Sequence, residues 1–204
     1  EAYHAEQDAA EVLDRAEHAI FQIAEGRVRT GFTSLYDIAQ DSVEAIQRAH
    51  EQKQLITGVP TGFHDLDQLT SGLQRGDLVI VAARPSMGKT SLALNIAQHV
   101  GTHAKKTVGI FSLEMSKEQL FLRMLSSEAQ IDGHALRTGF LRRDDWGRLT
   151  TALGVLGQAK VYIDDTPSIG VLEMRAKARR LASEHGLDLL VIDYIQLMQG
   201  RGRF

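Results

Sequence analysis

The chain has 204 residues, no cysteine and a formal net charge of −3, with 43% hydrophobic and 24% charged residues. This is ordinary soluble composition at a length suited to one α/β domain with an appendage. The missing cysteines exclude a disulfide scaffold, an iron–sulfur protein and a Cys-ligated zinc site.

No apolar run approaches the roughly 18 residues of a membrane span. The acidic, polar start carries no signal-peptide pattern, so the expected location is cytoplasmic. The charge is divided unevenly. Residues 1–57 carry 11 acids and 5 bases, a sum of −6, whereas residues 58–204 carry 15 acids and 18 bases, a sum of +3. The overall balance argues against binding nucleic acid by bulk electrostatics and leaves a local basic site open.

From Glu6 to Glu25, apolar residues Val12, Leu13, Ala16, Ala19, Ile20 and Ile23 recur at helical spacing with acids opposite, and Gly26 ends the pattern. After a linker over residues 27–32, Ser34 opens a second helix with Asp37 as its capping-box partner and Ile38, Val43, Ile46 and Ala49 as its stripe. Two such helices bury little between themselves, so at least one stripe is expected to dock elsewhere, on the body or on a neighbouring subunit. Beyond Gly58 the pattern alternates strand and helix. Strands are predicted at Leu78–Ala82, Val108–Ser112, Val161–Ile163 and Leu189–Ile192. Helices are predicted at Lys89 to about Val100, about Lys117 to Ala129, near Asp144–Leu156 and about Val171–His185. This order predicts right-handed crossovers and a parallel sheet, buried on both sides, with helices on both faces.

The strongest chemistry lies in Ala83-Arg-Pro-Ser-Met-Gly88-Lys89-Thr90, between a predicted strand and a predicted helix. That setting is what a phosphate-binding loop requires: backbone N–H groups and a helix N-terminus form a concave anion site. Lys89 reaches the β- and γ-phosphates, the Thr90 hydroxyl is a Mg²⁺ ligand, and Gly88 removes a Cβ from the approach. Ala83 stands where the motif has its first glycine, which a tight turn tolerates if φ is negative.

Such a site needs two further carboxylates, one to hold Mg²⁺ through water and one to orient the attacking water. Asp193 and Asp164 each end an apolar strand, and the longer run favours Asp193. Asp164 and Asp165 read instead as a turn before Pro167. Glu114, just past the strand Val108–Ser112, falls on the sheet edge that carries the phosphate loop and is the candidate water-orienting group; the alternative is a helix N-terminal acid. Glu118 and Glu128 read as solvated. His99 and His103 are four apart at a helix end, but no third ligand accompanies them, so they read as solvated histidines. Arg137, Arg142, Arg143 and Arg148 form a basic run interrupted by Asp144 and Asp145, read as surface rather than as a DNA track.

Several longer runs are more specific. Ile56-Thr-Gly-Val-Pro-Thr-Gly-Phe63, Asp65-Leu-Asp67, Leu69-Thr-Ser-Gly-Leu73, Gly76-Asp77-Leu78 and Val81 to Thr90 together closely resemble the DnaB-type bacterial replicative DNA helicases. Ala83 matches that family's own variant of the loop. Phe111-Ser-Leu-Glu-Met-Ser116 resembles the segment with the catalytic glutamate, here Glu114. Leu190-Val-Ile-Asp-Tyr-Ile-Gln-Leu-Met198 resembles the Walker B segment, here with Asp193 as the Mg²⁺-associated acid. Arg123, in Gln119-Leu-Phe-Leu-Arg-Met124, matches an arginine that contacts nucleotide.

The resemblance implies a RecA-like α/β fold, incomplete here and preceded by a helical arm. Residues 1–30 look like the tail of an N-terminal helical domain, 31–57 like a linker whose helix (33–52) packs on the adjacent protomer, and 58–204 like a truncated ATPase core. It implies ATP and Mg²⁺ as cofactors. Nucleotide contacts are implied for Ala83, Arg84, Pro85, Ser86, Met87, Gly88, Lys89, Thr90, Ser91 and Arg123, metal contacts for Thr90 and Asp193, and catalytic roles for Glu114 and Lys89.

Implied partners are single-stranded DNA, further copies in a ring hexamer, a helicase loader and primase, with no membrane. The family's DNA loops and arginine finger follow its Walker B segment, whereas this chain stops at Arg201-Gly-Arg-Phe204. The expectation is a piece of a longer helicase that hydrolyses ATP poorly alone, since an arginine finger is worth on the order of 10³-fold or more in rate. The alternatives are another RecA-like ring ATPase, a small-molecule kinase, and a non-catalytic subunit-interaction module.

Overall fold

The computed structural model describes residues 55–198 continuously and, ahead of them, residues 34–36, 38–39, 42–43 and 46–47. The chain divides into two compact units, Glu1–Lys53 and Gln54–Phe204. In the first, the described residues after Ser34 are helical, and the Ile38 N–H donates to the Ser34 carbonyl at 3.1 Å, as expected of a helix opened by Ser34. The predicted Glu6–Glu25 helix, the 27–32 linker, Asp37, Ala49, Arg201 and Arg203 lie outside the described residues.

The second unit contains α1 (His64–Thr70), α2 (Lys89–Thr102), β1 (Val108–Ser112), α3 (Lys117–Ala129), α4 (Gly133–Thr138), α5 (Asp145–Gly157), β2 (Val161–Asp164), α6 (Val171–His185) and β3 (Leu189–Asp193), then a 3₁₀ turn at Ile195–Leu197. The strands form a parallel sheet in the order β2-β1-β3. β1 is central and buried throughout. Its side chains alternate between two cores, as a pleated strand dictates. Val108 and Ile110 pack with Leu94, Ala97 and Val100 of α2 and Leu120 and Met124 of α3. Phe111 packs on the other face with Ile169 and Met174. Gly109 points at α6, where a Cβ would lie 3.0 Å from Leu181 Cδ2. Helices thus cover both faces, as predicted.

Local chemistry sets the element ends. Ser116 caps α3 reciprocally with Gln119: its hydroxyl accepts from the Gln119 N–H at 3.4 Å, and Gln119 Oε1 accepts from the Ser116 N–H at 3.2 Å. Gln130 ends the helix in a left-handed conformation.

The structure departs from the sequence reading at three places. Leu78–Ala82 is not a strand, and Leu78, Val79, Ile80 and Val81 are between 48% and 85% exposed. An apolar run becomes a strand only where a neighbour completes its ladder. Among the described residues no segment pairs with it, so the sheet has three strands rather than four. The expectation of burial on both sides holds for β1 alone, since Leu190 of β3 is exposed. The short helices α1 and α4 were not predicted. Among the described residues, no helix is long and apolar enough to cross a membrane.

Candidate functional site

The register of β1 and β3 brings Ser112 level with Asp193 at the C-terminal edge of the sheet, where open parallel sheets place their ligands. The loop over residues 83–90 arrives at this edge. Ser86 has φ 67° and Gly88 has φ 88°, while Pro85, Met87 and Lys89 keep negative φ. Alternating signs of φ turn successive N–H groups toward one side, which makes an anion-binding concavity at the start of α2. Gly88 is the N-cap of α2. Nothing within 4 Å would meet a Cβ there, so within the chain the glycine is demanded by its φ and not by clearance. Ala83 keeps negative φ, the condition on which alanine replaces glycine at that position.

Asp193, the buried last residue of β3, gathers the centre of the site. Lys89 Nζ lies 3.0 Å from its Oδ1. The Thr90 hydroxyl donates to its Oδ2 at 2.6 Å across 103 positions of sequence. The Lys89 ammonium also lies 4.2 Å from the centre of the Tyr194 ring. The segment after β1 is tied to the same point, because the Leu113 N–H donates to the Asp193 carbonyl at 2.8 Å. The buried Ser112 hydroxyl donates to the Met115 carbonyl at 2.6 Å and accepts from the Met115 N–H at 3.3 Å, folding the bend that carries Glu114. Glu114 itself is exposed. The far end of the bend is held by Asp165, whose Oδ2 accepts from the Lys117 N–H at 3.1 Å. That bond, ahead of the nearby Lys117 ammonium, holds the Asp165 carboxyl below the usual range.

The structure therefore brings together Lys89, Thr90 and Asp193 and sets Glu114 on the adjoining bend. Arg84, Pro85, Ser86 and Met87 lie on the exposed loop. Arg123 and Ser91 do not join that cluster. They border a hollow of about 580 Å³ between α2, α3 and α4, with Asn95, Gln119, His134 and Arg137. Asp164 is engaged elsewhere: it accepts from the Thr166 N–H at 2.9 Å, in the turn predicted before Pro167, and pairs with Lys177 at 2.8 Å.

Three surface readings change. His99 is half-buried rather than solvated, stacked on His103 with ring centres 4.9 Å apart and packed on Gly62. No group of three or more metal-ligating side chains occurs among the described residues. Glu128 accepts from Gln98 Nε2 at 2.6 Å. Asp145 is buried, accepting from the Arg142 N–H at 2.8 Å and pairing with Arg148, so Arg148 is a structural pin.

Sequence reasoning assigned no role to Ser112 or Tyr194. Each lies inside a segment singled out for its acid, and only the fold reveals its contact.

Residues 58–203 match the DnaB-like helicase C-terminal domain. The chain belongs to that family. It is 49% identical over 203 residues to the replicative DNA helicase DnaC of Bacillus subtilis and 50% identical over 203 residues to the replicative DNA helicase DnaB of Geobacillus stearothermophilus. Each match covers the whole chain but only 45% of the relative. Among solved structures it resembles one described as an ATPase domain, with TM-score 0.77 and 31% identity over 84% of this chain and 61% of that one. It also resembles a DnaB-like replicative helicase described with its interactions with primase, with TM-score 0.73 and 28% identity over 95% of this chain and 48% of that one. These neighbours place the three-stranded sheet within a RecA-like ATPase fold.

Proposed function

We propose that residues 58–204 are the ATP-binding core of a replicative DNA helicase, with residues 31–57 as a linker and 1–30 as the end of a preceding helical domain. The observation that carries this reading is the convergence of Lys89 and Thr90 on Asp193 at the mouth of a φ-alternating loop.

The donor set suits Mg²⁺. Thr90 spends its one hydroxyl proton on Asp193, which leaves its lone pairs free for a hard cation, and the carboxylate lies behind it to engage a metal-bound water. Thr90 and Asp193 would hold the ion, which when bound offsets charge on the β- and γ-phosphates. The loop N–H groups and Lys89 bind those phosphates. Glu114 orients the attacking water from the bend that Ser112 and Leu113 fix against β3. Arg123 contacts nucleotide from the neighbouring hollow. In the longer polypeptide, hydrolysis drives a ring of six copies along single-stranded DNA and separates the duplex ahead of it. A helicase loader and primase are its protein partners, and it works in the cytoplasm.

The test is binding of a fluorescent ATP analogue to the 204-residue chain, with and without Mg²⁺, beside Lys89→Ala. Mg²⁺-dependent binding that Lys89→Ala abolishes is expected. Absent binding by the wild type, or equal binding by the variant, overturns the assignment. Strand displacement from a forked duplex by the longer polypeptide tests the helicase step, and a full-length protein that hydrolyses ATP without separating strands would refute it.

A further inference from the structure

Lys89 has two neighbours of opposite character. Asp193 is a charged acceptor that engages the same ammonium protons a phosphate would take. Tyr194 presents a neutral ring face, 4.2 Å from Nζ at the centroid, a weaker partner than a carboxylate for the same ammonium. Four rotatable bonds give a free lysine side chain a large rotamer entropy, which a phosphate contact must overcome.

The backbone that carries the ring is held in place. Tyr194 is half-buried between the end of β3 and the 3₁₀ turn, where its carbonyl accepts from the Leu197 N–H at 3.2 Å. Met198, at the far end of that turn, packs into the Phe111 core. Among the described residues the Tyr194 hydroxyl makes no hydrogen bond, and the ring face is the part that meets Lys89.

We propose that Tyr194 is a positioning residue for Lys89: its ring confines the ammonium to the mouth of the phosphate loop, so that nucleotide binding orders less of the side chain. The inference rests on the nucleotide reading above and adds a residue to it. Asp193 competes with the phosphates for Lys89 through a full charge, whereas Tyr194 holds Lys89 through a neutral ring that competes far less.

The experiment uses the 204-residue chain and two readouts. The first is affinity for a fluorescent ATP analogue. Tyr194→Phe keeps the wild-type value, and Tyr194→Leu binds about 2- to 5-fold more weakly, the range of one exposed cation–π contact. Phenylalanines of increasing fluorination at 194 keep the size of the ring while draining its face of charge, and affinity falls stepwise along that series. A residue that merely fills space would give a flat series. This series also stands in for Tyr194→Leu should that variant fail to fold.

The second readout needs no nucleotide. The ε-methylene protons of Lys89 are shifted upfield by the ring in wild type and Tyr194→Phe, and the shift is lost in Tyr194→Leu. A flat fluorination series, tighter binding by Tyr194→Leu, or an unshifted Lys89 resonance in the wild type overturns the inference. A wild-type chain that does not bind the analogue overturns the nucleotide reading, and this inference with it. Wild-type binding with a flat series overturns this inference alone.

Discussion

Asp193→Asn is expected to strengthen nucleotide binding when Mg²⁺ is absent. In the free chain Asp193 holds Lys89 at 3.0 Å, so a phosphate must displace a carboxylate before it gains the ammonium. Asparagine removes the charge and keeps an oxygen to accept from Thr90, so the Thr90 contact survives. The Lys89 side chain is 30% exposed and that of Asp193 11%, which puts the pair nearer the surface class than the buried one. Such a pair is worth about 1 kcal/mol, which corresponds to about 5-fold in affinity.

Loss of a negative charge beside the phosphates acts in the same direction, and salt screens both effects. The assay is titration of a fluorescent ATP analogue in EDTA at low and high ionic strength. Binding by Asp193→Asn about 5-fold tighter than wild type is expected at low salt, with the gain shrinking as salt rises. With Mg²⁺ the order is expected to reverse, because in the proposed reading the Asp193 carboxylate helps hold the metal. Unchanged or weaker binding in EDTA would refute the argument that Asp193 and phosphate compete for Lys89.

Ser112→Ala strands the Met115 carbonyl and N–H beneath the Glu114 bend, at a stability cost of about 1–3 kcal/mol. Single-turnover hydrolysis by the longer polypeptide is expected to slow more than nucleotide affinity falls, and equal losses would count against a role for this bend in placing Glu114. Gly62→Ala and Gly88→Ala both force alanine into positive φ, a strain of about 1–2 kcal/mol. Only at Gly62 would the new Cβ also strike a ring, 2.5 Å from His99 Cγ, adding about 1–3 kcal/mol of overpacking. Thermal unfolding should therefore rank Gly62→Ala well below Gly88→Ala, and equal Tm values would contradict the contact.

Stability should also fall on acidification. Burial, then the charge of His103, depress the His99 pKa below its usual 6.5, against an opposing pull from Asp67. The unfolded chain then binds more protons than the folded one as pH drops through 6.5 toward the folded value, so stability present at neutral pH is lost across that interval. His103→Asn should flatten the Tm–pH slope between about pH 7 and 5, and an unchanged slope would discount the stacked pair.

Elements with self-contained signals were legible in the sequence. β1, α3 and α6 have the predicted bounds, and the structure adds the capping box that opens α3 and the Gly186 cap that ends α6. What failed depends on partners. Leu78–Ala82 has a strand's composition, but a strand is a relation between two segments, and no described segment supplies the second. Helices α1 and α4 are 7 and 6 residues long, too short to display a periodic stripe, and the one buried residue of α1 is Asp67, a polar position. That aspartate accepts from the Thr61 N–H and hydroxyl at 2.8 Å. Burial pushes its pKa up, but hydrogen bonds from Thr61 and Gly62 together outweigh that push and lower it.

The site divides along the same line. Lys89, Thr90 and Asp193 were legible because a phosphate loop and a strand-ending acid are local patterns that the parallel sheet must bring to one edge. The duties of their neighbours were not. Tyr194 follows Asp193 and gains its contact only because β3 ends beside the start of α2, while Ser112 acts on a bend three residues away through both its proton and its lone pair. Side chains that make phosphate chemistry possible are recurrent and can be read as motifs, whereas those that hold them in place depend on the particular packing around them. Each positioning residue here lies within a residue or two of a motif acid, Tyr194 beside Asp193 and Ser112 beside the bend of Glu114. The fold has already fixed the backbone there, so one added side-chain contact confines its target.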